Sequence, residues 1–208
     1  MNILSKTKTA LPGVLLFTYS RFKDDRGYFS ETYNKKELCL SDGTDIVPEL
    51  VQSNESYSKK NVVRGLHFQY DPFMGKLIRT AYGHMIDLIV DIRPNSETYG
   101  KGIMIDMPGS QESQTDSLIW IPPGFAHGNL FLENTLIQYF CTGTYNPQGE
   151  VGIYPYSPDI DWSLSSSRLH DQLIQMKEHA IMSPKDKKGI SLTEWTTNAN
   201  ARQFQINK

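Results

Sequence analysis

Lys76-Leu77-Ile78-Arg79-Thr80-Ala81-Tyr82-Gly83-His84-Met85-Ile86-Asp87-Leu88-Ile89-Val90-Asp91-Ile92-Arg93 is the most informative stretch of the 208-residue chain. Short runs of apolar, β-branched and aromatic residues interrupted by a glycine read as strand, not helix. Tyr82-Gly83 is placed as a tight turn joining two strands. In the second run, alternation sets Ile86, Leu88, Val90 and Ile92 on one face and Asp87, Asp91 and Arg93 on the other, the pattern of a half-buried strand.

The same rhythm extends outward. Further strands are expected over Gly102–Met107, Ser117–Ile121, Gly128–Leu132 and Leu136–Thr144. One segment breaks it: Leu169, Leu173, Met176 and Ala180 recur at helical spacing between Ser165 and Ile181, behind a Ser165-Ser166-Ser167 run that can supply an N-cap. The chain therefore reads as mainly β, a sandwich or barrel in one domain over residues 1–208. A helical segment lies at 165–181, and the polar tail at 196–208 is expected to be mobile.

Composition narrows the function classes. Lys plus Arg number 21 against 23 Asp plus Glu, a net charge of −2, which leaves no electrostatic footprint for general nucleic-acid binding. No apolar run is long enough for a helical membrane span, and the N-terminus lacks the apolar stretch of a signal peptide. Cys39 and Cys141 stand far apart with no CxxC pair, so neither a disulfide framework nor a structural zinc site is expected, and the cytoplasm is the default compartment.

Two turn-rich pieces carry histidines beside unusual neighbours: Arg64-Gly65-Leu66-His67-Phe68-Gln69 and Ile121-Pro122-Pro123-Gly124-Phe125-Ala126-His127-Gly128. They combine with Asp25-Arg26-Gly27-Tyr28-Phe29-Ser30-Glu31, Val51-Gln52-Ser53-Asn54, Gly75-Lys76-Leu77 and Asp87-Leu88-Ile89-Val90-Asp91-Ile92-Arg93. Taken together, these stretches resemble the nucleotide-sugar 4-keto epimerases typified by the dTDP-4-dehydrorhamnose 3,5-epimerase family, over nearly the whole chain. The resemblance implies a cupin-type jelly roll, no cofactor and no metal. It also implies a nucleotide-sugar substrate, a homodimer, and a place in deoxysugar supply for surface polysaccharide such as lipopolysaccharide.

The chemistry such an enzyme needs is independent of its family. A proton alpha to a ketone is weakly acidic, so a base, a stabiliser for the enolate oxygen and an acid on the opposite face are all required. Imidazole titrates near neutral pH, which makes His67 the natural base. The resemblance pairs it with Asp186 of Lys185-Asp186, makes Tyr139 the general acid, and sets Lys76 at the developing oxyanion. By the same resemblance Arg64 meets the diphosphate or sugar oxygens, and His127 lies near the reacting carbonyl. Arg26, Glu31, Gln52, Asn54 and Glu150 complete the substrate-binding set, with Arg26 to Glu31 reaching the pocket of the second subunit.

Blander readings stand beside these. His67 can be a strand histidine satisfied by backbone, and His127 can brace the Pro122-Pro123-Gly124 turn. Tyr139 can be a core aromatic, Lys76 a solvated strand edge, and Asp186 part of a charged surface run with Lys187-Lys188. His84, His170 and His179 read as structural or exposed. Metal-binding cupins generally set two histidines two apart, whereas Gln69 follows His67 at that spacing, so no metal is expected.

Three features depart from the family pattern. The stretch from Trp162 to Asp186 is longer than the resemblance implies and holds the predicted helix. Thr144, in Gly143-Thr144-Tyr145-Asn146-Pro147, replaces an aromatic that helps sandwich the nucleotide base, which opens CDP or GDP as alternative carriers to dTDP. Phe140 follows Tyr139 where a lysine is usual. The expected function is inversion at C3, C5 or both of a nucleotide-linked 4-keto-6-deoxy sugar. The alternatives are a non-catalytic sugar-nucleotide-binding cupin and a 4-keto sugar isomerase.

Overall fold

The computed structural model describes residues 1–38 and 47–204. Cys39 and the last four residues of the expected tail lie outside the described residues. Strand β1 (Ile3–Lys8) pairs antiparallel with β2 (Leu15–Ser20), and a small hairpin follows, formed by β3 (Phe22–Asp24) and β4 (Gly27–Phe29). Next come β5 (Gln52–Ser58), β6 (Val63–Gln69), β7 (Lys76–Asp91), β8 (Gly102–Gly109), β9 (Thr115–Ile121), β10 (Phe125–Phe131), β11 (Thr135–Cys141) and β12 (Glu150–Gly152). Three α-helices follow among the described residues: α1 (Ser167–Lys177), α2 (Pro184–Lys187) and α3 (Leu192–Thr197).

The quoted stretch behaves differently from its sequence reading. Lys76 to Asp91 is one 16-residue strand, not two strands and a turn. Its first half lies between β9 and β11, its second half between β8 and β10. Two half-sheets result, β1-β2-β9-β7-β11-β5 and β8-β7-β10-β6-β12, with β7 common to both. Gly83 sits where the strand passes from one to the other, at φ +85°, and a Cβ there would stand 2.4 Å from the Asn134 carbonyl oxygen. The glycine thus permits a bend within a continuous strand, a use of positive φ that the sequence does not distinguish from a turn.

The half-buried expectation also fails. Ile86, Leu88, Val90 and Ile92 do share one face and join the largest apolar cluster, with Leu66, Phe68, Leu173 and Trp195. The other face is also covered, because Met85 and Ile89 pack with Ile78, Ile119 and Phe125. Asp87 and Asp91 are consequently at 0% exposure. Asp91 is matched by the Arg93 guanidinium and by the hydroxyls of Ser96 and Thr98 at 2.5–2.8 Å, whereas Asp87 faces His127. Both carboxylates are buried with partners, not solvated.

Helix α1 begins where the serine run ends: the Ser166 hydroxyl accepts from the Leu169 N–H. It buries Leu169, Leu173 and Met176, and it stops at Lys177 instead of Ile181. His84 Nε2 and the Arg168 guanidinium share Asp106, a polar cluster that ties α1 to β7 and β8. The expected mobile tail is folded as far as it is described. Residues 192–197 form α3, Ala199–Phe204 form a 3-10 turn, and Trp195, Ala201 and Phe204 are buried. Phe204 and Trp195 pack around Phe68, with ring centroids 6.0 and 4.5 Å from it, so polar spacing conceals two apolar anchors in the tail, Ala201 and Phe204. Among the described residues no helix is long and apolar enough to cross a membrane.

Removing one anchor tests this packing. Phe204→Ala is expected to lower the unfolding free energy by about 3 kcal/mol, as for other buried aromatics. Urea denaturation that placed the variant within about 0.5 kcal/mol of the wild type would show the segment to be loosely held.

Candidate active site

The inner face of the first half-sheet lays out one wall of the site by register alone. Gln52, Cys141 and Lys76 oppose one another across β5, β11 and β7, and Asn54, Tyr139 and Ile78 form the next row of the same face. The second half-sheet supplies the facing wall, where His67 on β6 is directly opposite His127 on β10. This closeness depends on two glycines. A Cβ on Gly65 would stand 2.7 Å from the Gly128 Cα, and one on Gly128 would stand 2.5 Å from the Arg64 carbonyl oxygen. The register slips between His127 and Asn129, which pair with His67 and Arg64, so that β6 carries the extra residue and bulges beside the histidines.

A cleft runs between the walls in two lobes. One, of about 240 Å³, is lined by Arg64, His67, Lys76, His127, Asn129, Tyr139, Lys185 and Asp186, among others. The other, of about 340 Å³, is lined by Gln52, Asn54, Gln69, Cys141, Tyr145 and Glu150, and it shares His67, Lys76 and Tyr139 with the first. Those three side chains mark the junction of the lobes.

His67 Nε2 is 2.6 Å from Asp186 Oδ1. Asp186 lies in α2, where the Ser183 hydroxyl donates to Oδ2 at 2.8 Å and the Asp186 N–H returns a bond to Ser183 Oγ. Burial pushes this carboxyl up, but hydrogen bonds from His67, Ser183 and the Gly65 N–H together hold it below the usual carboxylate range. The ring nitrogen of His67 left for a ligand is Nδ1. Burial lowers the Lys76 ammonium from its ordinary value, against the charge of Cys141, Glu150 and Asp87. Burial likewise raises the Tyr139 phenol, which keeps it protonated at neutral pH.

Arg64 donates from Nε to Ser58 Oγ at 2.8 Å and borders the cleft. Gln52 holds the following loop through the Tyr145 N–H, and Glu150 accepts from the Tyr145 hydroxyl and pairs with Lys185. Arg26 and Glu31 are not part of the cleft in one chain. Arg26 is exposed at the tip of the β3–β4 hairpin and paired with Asp24, while Glu31 meets the amino terminus and Asn34. Thr144 is exposed, and its carbonyl accepts from the Gln69 amide at 3.0 Å.

Three polar groups escaped the sequence reading. Asp87 is 2.5 Å from His127 Nε2, Asn129 lines the cleft beside it, and Ser183 caps the helix that carries Asp186. The signals available for Asp87 were a carboxylate inside the apolar run Met85 to Val90 and its place at the head of the family-like stretch Asp87 to Arg93. Among the described residues, no group of three or more His, Cys, Asp and Glu side chains converges in a way that could hold a metal ion.

Residues 8–194 match the family model described as dTDP-4-dehydrorhamnose 3,5-epimerase. The chain belongs to this family. A family member from Methanothermobacter thermautotrophicus is 37% identical over 190 residues, covering 90% of this chain and 94% of the relative. The Escherichia coli member is 36% identical over 198 residues, covering 93% and 96%. A solved structure of the Legionella pneumophila dTDP-6-deoxy-D-glucose-3,5-epimerase, in complex with dTDP-4-keto-L-rhamnose, superposes with a TM-score of 0.78. It is 30% identical, and 95% of this chain and 96% of that one are covered. The fold is accordingly the mainly β, cupin-like one of these epimerases.

The depressed Asp186 carboxyl has a consequence for stability. A group held low in the folded state stabilises above its unfolded value, about 4, and loses that contribution as pH falls through the folded one. Wild-type unfolding free energy should therefore drop more steeply below pH ~4 than that of Asp186→Asn. Parallel slopes in pH-dependent urea titrations would show that the carboxylate carries no such linkage.

Proposed function

We propose that this protein inverts C3, C5 or both of a nucleotide-linked 4-keto-6-deoxy sugar, without a metal or other cofactor, for deoxysugar supply to surface polysaccharide. The observation that carries the reading is the His67–Asp186 pair facing Lys76 and Tyr139 at the junction of the two lobes. His67 Nδ1 takes the proton alpha to the ketone, and the C–H electron pair passes into the enolate. Asp186 holds the tautomer through Nε2 and steadies the imidazolium. The Lys76 ammonium faces the enolate oxygen, a contribution of roughly 3–4 kcal/mol where single donors have been removed elsewhere. Tyr139, protonated because burial raises its phenol, returns a proton to the other face of the carbon.

Arg64, Gln52, Asn54 and Glu150 bind the remainder of the substrate, and His127 lies near the carbonyl. We read the chain as one structural unit, since its sheet runs from β1 to β12 through β7. The buried free thiol of Cys141 is in keeping with a cytoplasmic setting. A homodimer is part of the proposal. Phe22 and Phe29 expose 55% and 69% of their surface on the β3–β4 hairpin that carries Arg26, which suits a hairpin covered by a second copy whose pocket Arg26 and Glu31 reach. The carrier is a nucleoside diphosphate: dTDP by membership, with CDP and GDP as rivals because Thr144 offers no stacking surface.

Incubation with a 4-keto sugar nucleotide in deuterated water tests the reaction. His67→Asn is expected to lower deuterium incorporation at C3 and C5 by roughly 10²–10⁴. Tyr139→Phe should still exchange while making epimer more slowly. Substrate binding without any exchange in the wild type would mark a binding protein, a moved ketone would mark an isomerase, and His67→Asn within about tenfold of wild type would remove the base.

Light scattering and titration calorimetry on one preparation test the assembly and the carrier. A dimer mass is expected, and Thr144→Tyr should tighten dTDP binding by up to about tenfold to a hundredfold. A monomer at micromolar concentration would remove the shared-pocket role of Arg26 and Glu31. A wild type that already prefers dTDP over CDP and GDP, unchanged by the substitution, would remove the rival carriers.

A further inference from the structure

Asp87 is fully buried in the middle of β7, yet only one of its carboxylate oxygens is engaged. Oδ1 receives His127 Nε2 at 2.5 Å and the Asn129 amide at 3.2 Å. Oδ2 is buried with no hydrogen-bond partner among the described residues. A carboxylate kept out of water and half unpaired is a costly way to fill a strand position, and a purely structural site would be served better by a neutral side chain. Its neighbours explain it. His127 borders the cleft, opposite His67 on β6 and Ile89 on β7, and its ring reaches Asp87 on the diagonal, the residue opposite Asn129.

We propose that Asp87 is a positioning residue: its carboxylate fixes His127 as the Nε2–H tautomer, leaving Nδ1 for the substrate, and is the buried negative charge against which Lys76 and His127 are held. The contact with Oδ1 requires a proton on Nε2. A hydrogen bond from Nδ1 to an enolate oxygen then requires the doubly protonated ring, which the adjacent carboxylate stabilises as negative charge develops on the substrate. Burial drives the His127 ring toward neutrality, opposed by Asp87 and aided by the charges of Lys76 and His67. Burial also lowers Lys76, opposed by Cys141, Glu150 and Asp87 and aided by Lys185. Asp87 is the one carboxylate acting on both groups, and in each case it favours the charged form.

The part played in turnover rests on the epimerase reading above, whereas the tautomer does not. Nitrogen-15 NMR of the wild type should show His127 as Nε2–H, and a ring protonated at Nδ1 alone would overturn the proposal whatever the activity. Asp87→Asn keeps the shape and removes the charge. It should lower kcat at least about tenfold with KM changed by less than about threefold. It should also move both the His127 titration and the alkaline limb of the rate to lower pH, because the group favouring the charged forms is gone. In a His127→Gln background the same substitution should cost less than in the wild type. An unchanged kcat, or an undiminished cost in that background, would overturn the assignment. If Asp87→Asn fails to fold, the wild-type ring measurement still decides, and absence of turnover in the wild type sinks the epimerase reading while leaving the tautomer to be read.

Discussion

Strand β7 belongs to both half-sheets, and the active-site cleft exists because it does. Lys76 stands at its start among β9 and β11, and Asp87 lies eleven residues on among β8 and β10. A continuous strand fixes the separation and relative orientation of those two charges through its backbone ladder, with no loop between them to relax. The bend at Gly83 sets the angle between the walls, and both faces of the second half are covered by apolar side chains. Asp87 is thereby mounted in a run, Met85–Asp91, that is buried throughout, where low polarity strengthens its interaction with its partners.

The cleft contains two imidazole–carboxylate pairs built differently. Asp186 comes from a short helix, is capped by Ser183 and satisfied at both oxygens, and its partner His67 is partly exposed. Asp87 comes from a central strand and is half satisfied, and its partner His127 is almost closed off. The difference matters chemically. A fully hydrogen-bonded carboxylate remains an anion and orients a base, while a desolvated one responds strongly to charge arriving nearby. Two histidines on adjacent strands thus sit in distinct electrostatic settings given by their neighbouring carboxylates, despite the same residue type and neighbouring register positions.

Much of this was legible in the sequence, for identifiable reasons. Strand-rich rhythm marks the β architecture, and the serine run before Leu169 marks the helix start. The two histidine motifs carry glycines that permit β6 and β10 to approach closely, so motif and geometry coincide. What escaped depends on partners distant in sequence. Alternation places Asp87 and Asp91 toward solvent because nothing local announces that apolar side chains from distant parts of the chain cover both faces of β7. Gly83 reads as a turn because a glycine's positive φ serves a turn and a bend equally well. The tail beyond Thr196 looked polar because its anchors, Ala201 and Phe204, are sparse. Arg26 and Glu31 stay apart from the cleft within one chain, a separation that no local pattern expresses.

The pairing of His67 with Asp186 spans 119 positions. During synthesis, the strand that bears the imidazole, the glycine contact beside it and the lysine opposite are all made long before the helix that bears the carboxylate. The aromatic cluster behind Phe68 closes later still, when Trp195 and Phe204 arrive. On the ribosome, then, the nascent chain can assemble both half-sheets while its imidazole lacks the carboxylate partner and its largest core is open on one side. On the proposed reading chemical competence waits for the helix that follows both half-sheets, and until then the apolar side of β6, with Leu66 and Phe68, stands open to water.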